Sequence, residues 1–101
     1  DTKAAMAMYK QILGAKPTSA PALDGIGRCH LRDAKYSDAE AALRRALKAD
    51  NSFVPAYNNL AVVLEKMNKR KEAVSLLEKA ASMDENNADV QKNLKRMRSA
   101  G

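Results

Sequence analysis

Three stretches of this chain repeat one another at a fixed step. Ala5-Met-Ala-Met-Tyr9-Lys-Gln-Ile12, Ala39-Glu-Ala-Ala-Leu43-Arg-Arg-Ala46 and Ala73-Val-Ser-Leu-Leu77-Glu-Lys-Ala80 align with a step of 34 residues. Leu23, Ile26, Gly27 and His30 map by the same step onto Tyr57, Leu60, Ala61 and Leu64, and Leu94 continues the series from Ile26 and Leu60. A period of this length describes a stack of like units, each too small to bury its apolar face alone.

The apolar positions within a unit have helical spacing. Leu23, Ile26, Gly27 and His30 stand at i, i+3, i+4 and i+7, one face of a helix. Ala39, Leu43 and Ala46 do the same on the next. Each unit therefore reads as two helices and a short turn. The small residues Gly27 or Ala61 on one helix, and Ala39 or Ala73 on the next, allow close approach of the pair. Composition agrees: 46% of the 101 residues are hydrophobic, and four Gly and three Pro are too few for a chain of many tight β-turns.

Punctuation sets the helix limits. Ser37-Asp-Ala-Glu40 is a capping-box sequence. Ser19 and Ser52 precede helices with Pro21 and Pro55 in their first turn. Gly14 with Pro17 ends the first helix, Asp50-Asn51 and Asn86-Asn87 mark later junctions, and Asn68 suits a left-handed turn. These signals predict six helices, over 2–14, 20–33, 38–49, 54–67, 71–83 and 88–99.

No run approaches the length of a membrane span, and the N-terminus lacks a secretory pattern. The single cysteine, Cys29, has no internal partner, which fits a reducing, cytoplasmic compartment. The net charge of +6 is spread evenly, with nine Lys/Arg and six Asp/Glu in each half, and suits an acidic partner.

A 34-residue helix-turn-helix period with this small and large pattern resembles the tetratricopeptide repeat family. The best match is Ala56-Tyr-Asn-Asn-Leu-Ala61, Leu64 and Glu72-Ala-Val-Ser-Leu-Leu77 with Ala80. Tyr57 takes a Trp-like position and Leu60-Ala61 the Leu-Gly pair. His30 and Leu64 stand where Tyr is usual, and Asn51 and Glu85 where a closing Pro is frequent. The resemblance implies an all-α, right-handed superhelix of six antiparallel helices: the second helix of a truncated repeat (2–14), full repeats over 20–53 and 54–87, and a capping helix (88–99). A longer array is expected upstream of Asp1. The apolar opening helix would then be partly exposed, through truncation or as a surface for homo-oligomerisation.

The family binds peptides in a concave groove lined by the first helix of each repeat. Carried onto this sequence, the groove would present Asp24, Arg28, Asn58, Asn59, Val62, Lys66, Lys92, Asn93 and Arg96. An amide both donates and accepts, so Asn58 and Asn59 suit a peptide backbone of any sequence. Asn93 follows Asn59 by one period, which predicts an asparagine ladder. Arg28, Lys92 and Arg96 suit carboxylates. The same residues also fit an ordinary solvated helix surface. A subgroup of the family grips chaperone C-termini through a Lys, Asn, Asn, Lys, Arg set. Only Asn59 matches it; Asp24, Arg28, Asp89 and Asn93 replace the others, so that activity is not expected.

Cys29 and His30 cannot complete a four-ligand zinc site, and neighbours on a helix point about 100° apart. His30 falls on a core position of the repeat. No phosphate loop or nucleophile set occurs, so neither a cofactor nor an enzyme activity is expected. Lys69-Arg-Lys71 and Lys95-Arg-Met-Arg98 raise nucleic-acid binding as an alternative, although Glu65 and Glu72 flank the first cluster and stacking aromatics are lacking nearby.

Overall fold

A computed structural model of the chain describes residues 1–99. The described residues form six helices: α1 (Thr2–Ala15), α2 (Ala20–Arg32), α3 (Tyr36–Ala49), α4 (Val54–Lys66), α5 (Arg70–Met83) and α6 (Ala88–Ser99). Consecutive helices pack as antiparallel pairs into a body of 40 × 26 × 20 Å. This is an all-α helical solenoid.

The curvature follows from which helices meet. α2 packs on α4 and α4 on α6, whereas the backbones of α3 and α5 stay further apart. The layer α2/α4/α6 is therefore the tighter, inner one. On the outer layer Arg44 bridges the gap between α3 and α5, reaching Glu40 and Glu72 at 2.8 Å each.

The core is what the 34-residue step selects. Leu43, Leu60, Leu64, Leu77 and Val90 are fully enclosed, with Ala39, Ala46, Ala61, Ala73 and Ala80 between them. Gly27 is required by packing: a Cβ there would lie 2.5 Å from Cγ of Leu43. Tyr57 lies in the core with its hydroxyl donating to the Asn51 carbonyl at 2.7 Å, and Lys79 caps its ring face at 5.5 Å.

The turn inside each unit repeats too. Ala34 and Asn68 both take positive φ, 59° and 63°. After α2, the Lys35 amide donates to the His30 carbonyl (2.8 Å) and the Ala34 amide to that of Leu31 (3.0 Å). After α4, Lys69 bonds Leu64 (2.8 Å) and Asn68 bonds Glu65 (3.1 Å). These are Schellman turns with the left-handed residue just past the helix end. The sequence predicts that conformation at Asn68; it gives no hint of it at Ala34.

Three local expectations are corrected. The Ser37 capping box is not used: α3 starts at Tyr36, with Lys35 at its N-cap and no side-chain cap. The Schellman turn already aims the chain into the next helix, and Lys69 opens α5 in the same way. Ser52 does not cap α4 either. Phe53 holds that place, while the Ser52 amide and hydroxyl both donate to Asp50, at 3.0 and 2.7 Å. Ser19 does cap α2, accepting from the Ala22 amide at 3.2 Å. His30 is only half-buried, beside an open cleft of about 670 Å³ that it shares with Met6, Ala7 and Lys10 of α1. The neighbouring Cys29 is buried in its stead.

Candidate functional site: the inner face of α2, α4 and α6

The inner face is built from one stripe of each of three parallel helices. Asp24 and Arg28 come from α2, Asn58, Asn59, Val62 and Lys66 from α4, and Lys92, Asn93 and Arg96 from α6. Six of them, Asp24, Arg28, Asn59, Asn58, Asn93 and Arg96, form two hydrogen-bonded chains that run across the helices.

The first chain centres on Asp24, a carboxylate only 3% exposed. Its Oδ1 accepts from Nδ2 of Asn59 at 2.9 Å, and its Oδ2 accepts from Nε of Arg28 at 3.2 Å. Arg28 also donates to the Tyr9 hydroxyl at 3.2 Å, with its guanidinium 6.0 Å from the ring centre. α1, α2 and α4 are thereby tied through one acid. Burial raises the Asp24 pKa above the ordinary carboxylate value; the bonds from Asn59 and Arg28 oppose that rise without cancelling it. Gly25 makes room for this arrangement, since a Cβ there would meet the Tyr9 ring at 2.4 Å.

The second chain joins α4 to α6. Nδ2 of Asn93 donates to Oδ1 of Asn58 at 2.9 Å, and Arg96 donates to Oδ1 of Asn93 at 2.7 Å. Arg96 also pairs with Glu65.

The predicted asparagine ladder is thus corrected in its register. Asn59 binds Asp24 and Asn93 binds Asn58, so partners stand 35 residues apart rather than 34. Residues one period apart face the same way. The pair that leans together needs a further turn of about 100° on the later helix, which one residue supplies. Arg28 and Arg96, which the sequence offers to a partner's carboxylate, are instead engaged by Asp24 and Glu65. Tyr9 also belongs to this face, which periodicity does not reveal. Its alignment with Leu43 and Leu77 marks it as core, and only the tertiary contact reveals the hydroxyl's role.

Asp24, Arg28, Asn58 and Asn59 line one cleft of about 390 Å³, closed by Pro21, Phe53 and Pro55 and edged by Asp89. Val62, Lys66, Lys92, Asn93 and Arg96 lie outside that cleft. Val62 is half-buried against the core, and Lys66 and Lys92 are exposed. Of the second basic cluster, Arg96 pairs with Glu65 and Arg98 with Glu78, which leaves less charge for a phosphate backbone than the sequence suggests. Among the described residues no group of three metal-ligating side chains comes together, and no helix is long and apolar enough to cross a membrane.

Comparison with known proteins agrees with the fold. The chain is 25% identical over 87 residues to Protein O-mannosyl-transferase F38B6.6 of Caenorhabditis elegans, a match covering 86% of this chain and only 13% of that protein. The first TPR of Spaghetti (RPAP3), bound to the HSP90 peptide SRMEEVD, superposes with a TM-score of 0.90 at 20% identity, covering 98% of this chain and 79% of that one. The TPR2B domain of yeast Sti1, in complex with pHsp70, gives a TM-score of 0.90 at 18% identity, covering 100% of this chain and 86% of the other. Two tetratricopeptide repeat family models match, one over residues 1–64 and one over residues 54–87. With that coverage, the chain belongs to the tetratricopeptide repeat family.

Proposed function

We infer that this array is a non-catalytic scaffold that holds an extended segment of a partner protein against α2, α4 and α6. The observation that carries this reading is the polarity of two adjacent amides. Asn59 spends its Nδ2 on Asp24, which leaves its Oδ1 as an acceptor. Asn58 accepts from Asn93 through its Oδ1, which leaves its Nδ2 as a donor. Neighbouring positions therefore offer one acceptor and one donor, the complement of a backbone N–H and C=O. Neighbours on both sides fix the two amides, so little side-chain entropy is lost on binding.

The solved relatives in complex with chaperone peptides support peptide capture by this fold. The present groove carries Asp24 and Asp89 where the chaperone-binding subgroup has lysines, so a different sequence is the expected ligand. A photo-crosslinking residue placed at Val62 or Lys92 should capture the partner, and one placed at Arg45 on the outer layer should not. Equal capture from both faces overturns the groove assignment. Asn58→Ala should weaken capture without lowering thermal stability by more than about 1 kcal/mol, since one half-exposed hydrogen bond is lost.

A second reading, self-association through α1, rests on one observation. Met8 and Ile12 of α1 are 53% and 42% exposed, on a helix with no buried residue. Light scattering across a concentration series decides it, and a constant monomer mass removes it.

A further inference from the structure

We propose that the cleft between the α1–α2 loop and the end of α3 docks a tyrosine side chain of a partner protein. The site shares no residue with the inner cleft and does not depend on the groove reading above.

The chain carries its own template for this site. In the second repeat, Tyr57 lies between the loop that precedes α4 and the later half of α5. Its hydroxyl donates to the Asn51 carbonyl at 2.7 Å, and Nζ of Lys79 stands 5.5 Å from its ring centre. One period earlier, the counterparts of Tyr57, Asn51 and Lys79 are Leu23, Pro17 and Arg45. Leu23 has neither ring nor hydroxyl. A cleft of about 390 Å³ opens there, lined by Pro17, Thr18, Leu23, Arg45, Lys48 and Ala49. Its walls include the counterparts of both groups that hold Tyr57.

The two loops have the same shape, so the correspondence extends to their carbonyls. Lys16 and Asp50 end α1 and α3 with φ, ψ of −141°, 90° and −149°, 98°. The Ser19 amide donates to the Lys16 carbonyl at 3.1 Å, and the Phe53 amide to the Asp50 carbonyl at 3.2 Å. α2 and α4 then start one period apart, each with a proline in its first turn. The Pro17 carbonyl therefore stands as the Asn51 carbonyl does. Unlike it, the Pro17 carbonyl accepts no hydrogen bond among the described residues.

The chemistry of the walls selects the occupant. A cavity of about 150 Å³ already holds a benzene ring, so this cleft admits a phenol. Leu23, Pro17 and Ala49 offer apolar contact to the ring. Arg45 is exposed and forms no ion pair among the described residues, which leaves its guanidinium for the face of a π-system. Ala49 stands where the second repeat has the longer Met83, which widens the mouth for a side chain arriving from outside. The carbonyl requires a donor, so tyrosine suits the site better than phenylalanine, and phosphotyrosine, which lacks that proton, does not suit it.

Titration of the isotope-labelled protein with N-acetyltyrosinamide, followed by NMR, tests the site. The amides of Thr18, Arg45, Lys48 and Ala49 should shift saturably with a Kd on the order of millimolar, as for one docked side chain. Those of Ser52, Lys79, Ser82 and Met83 should stay still, because Tyr57 fills the equivalent place. The O-methyl derivative, which cannot donate, should bind about fivefold more weakly. Arg45→Ala should weaken binding about threefold with an unchanged circular dichroism spectrum, since that side chain holds no other element. Leu23→Tyr should abolish binding by filling the cleft from within. Shifts that do not saturate, equal shifts in both repeats, equal affinity for the O-methyl derivative, or undiminished binding by Leu23→Tyr overturns the site. If Leu23→Tyr fails to fold, the O-methyl derivative and Arg45→Ala decide alone. A crosslinking residue at Arg45 removes the guanidinium, so the outer-layer control for the groove stays silent and the two sites are scored separately.

Discussion

Asn59 on α4 donates its amide to Oδ1 of Asp24 on α2 at 2.9 Å, and this bond sets the register between two helices that share few other contacts. The carboxylate it satisfies is nearly inaccessible to water and also receives Arg28. Asp24→Ala leaves a half-buried amide and an exposed guanidinium without their acceptor, and should cost about 1–3 kcal/mol in urea unfolding. Asp24→Asn keeps the shape and removes the buried charge, so its cost should be clearly smaller.

The same carboxylate gives a pH signature with a definite sign. Burial raises its folded-state pKa above the unfolded value, so the folded protein holds this proton more tightly. Its contribution to stability is therefore lost as pH rises from the ordinary carboxylate pKa through the raised one, and regained on acidification. Subtracting the stability profile of Asp24→Asn from that of the parent should give a curve that falls as pH rises through that window. A flat difference would remove burial as the dominant influence on this acid.

Ala34 occupies a left-handed conformation that costs a non-glycine residue about 1–2 kcal/mol. Ala34→Gly should raise stability by about 0.5–1 kcal/mol, because the added chain entropy of glycine offsets part of the relief. Asn68→Gly, in the equivalent turn, should gain less, since asparagine tolerates this conformation. Thermal midpoints of the two variants check the ranking.

Gly27 and Gly25 stand two residues apart yet should respond differently to alanine. At Gly27 the new methyl meets the branch point of Leu43, which is fully enclosed and has nowhere to move. Even after the gain in helix propensity, a loss of about 1–3 kcal/mol is expected. At Gly25 the methyl meets the ring of Tyr9 on the half-exposed α1, which can swing away. The expected result is a smaller loss of stability together with loss of the Arg28–Tyr9 contact, visible as a changed tyrosine fluorescence.

Tyr57→Phe removes the hydroxyl that holds the loop carbonyl of Asn51 while keeping the ring in the core. A loss of about 0.5–1.5 kcal/mol in chemical denaturation is expected. A loss near zero would mean that water takes over the carbonyl.

The sequence alone determined the repeat, the helices and the core, because a 34-residue step in apolar and small residues is a one-dimensional pattern that stacking preserves. Leu43, Leu77 and Ala61 needed no coordinates to be placed inside. The left-handed turn at Asn68 was legible because asparagine favours it; the one at Ala34 was not, because alanine does not, and the fold imposes it through the hydrogen bonds of the turn. The inner face was only half legible. Periodicity named its residues, but it could not say that Asn59 reaches Asp24, that Asn93 reaches Asn58, or that Arg28 and Arg96 are already engaged. Those pairings depend on how adjacent helices rotate about each other, a relation between side chains 35 residues apart that exists only once the helices are packed.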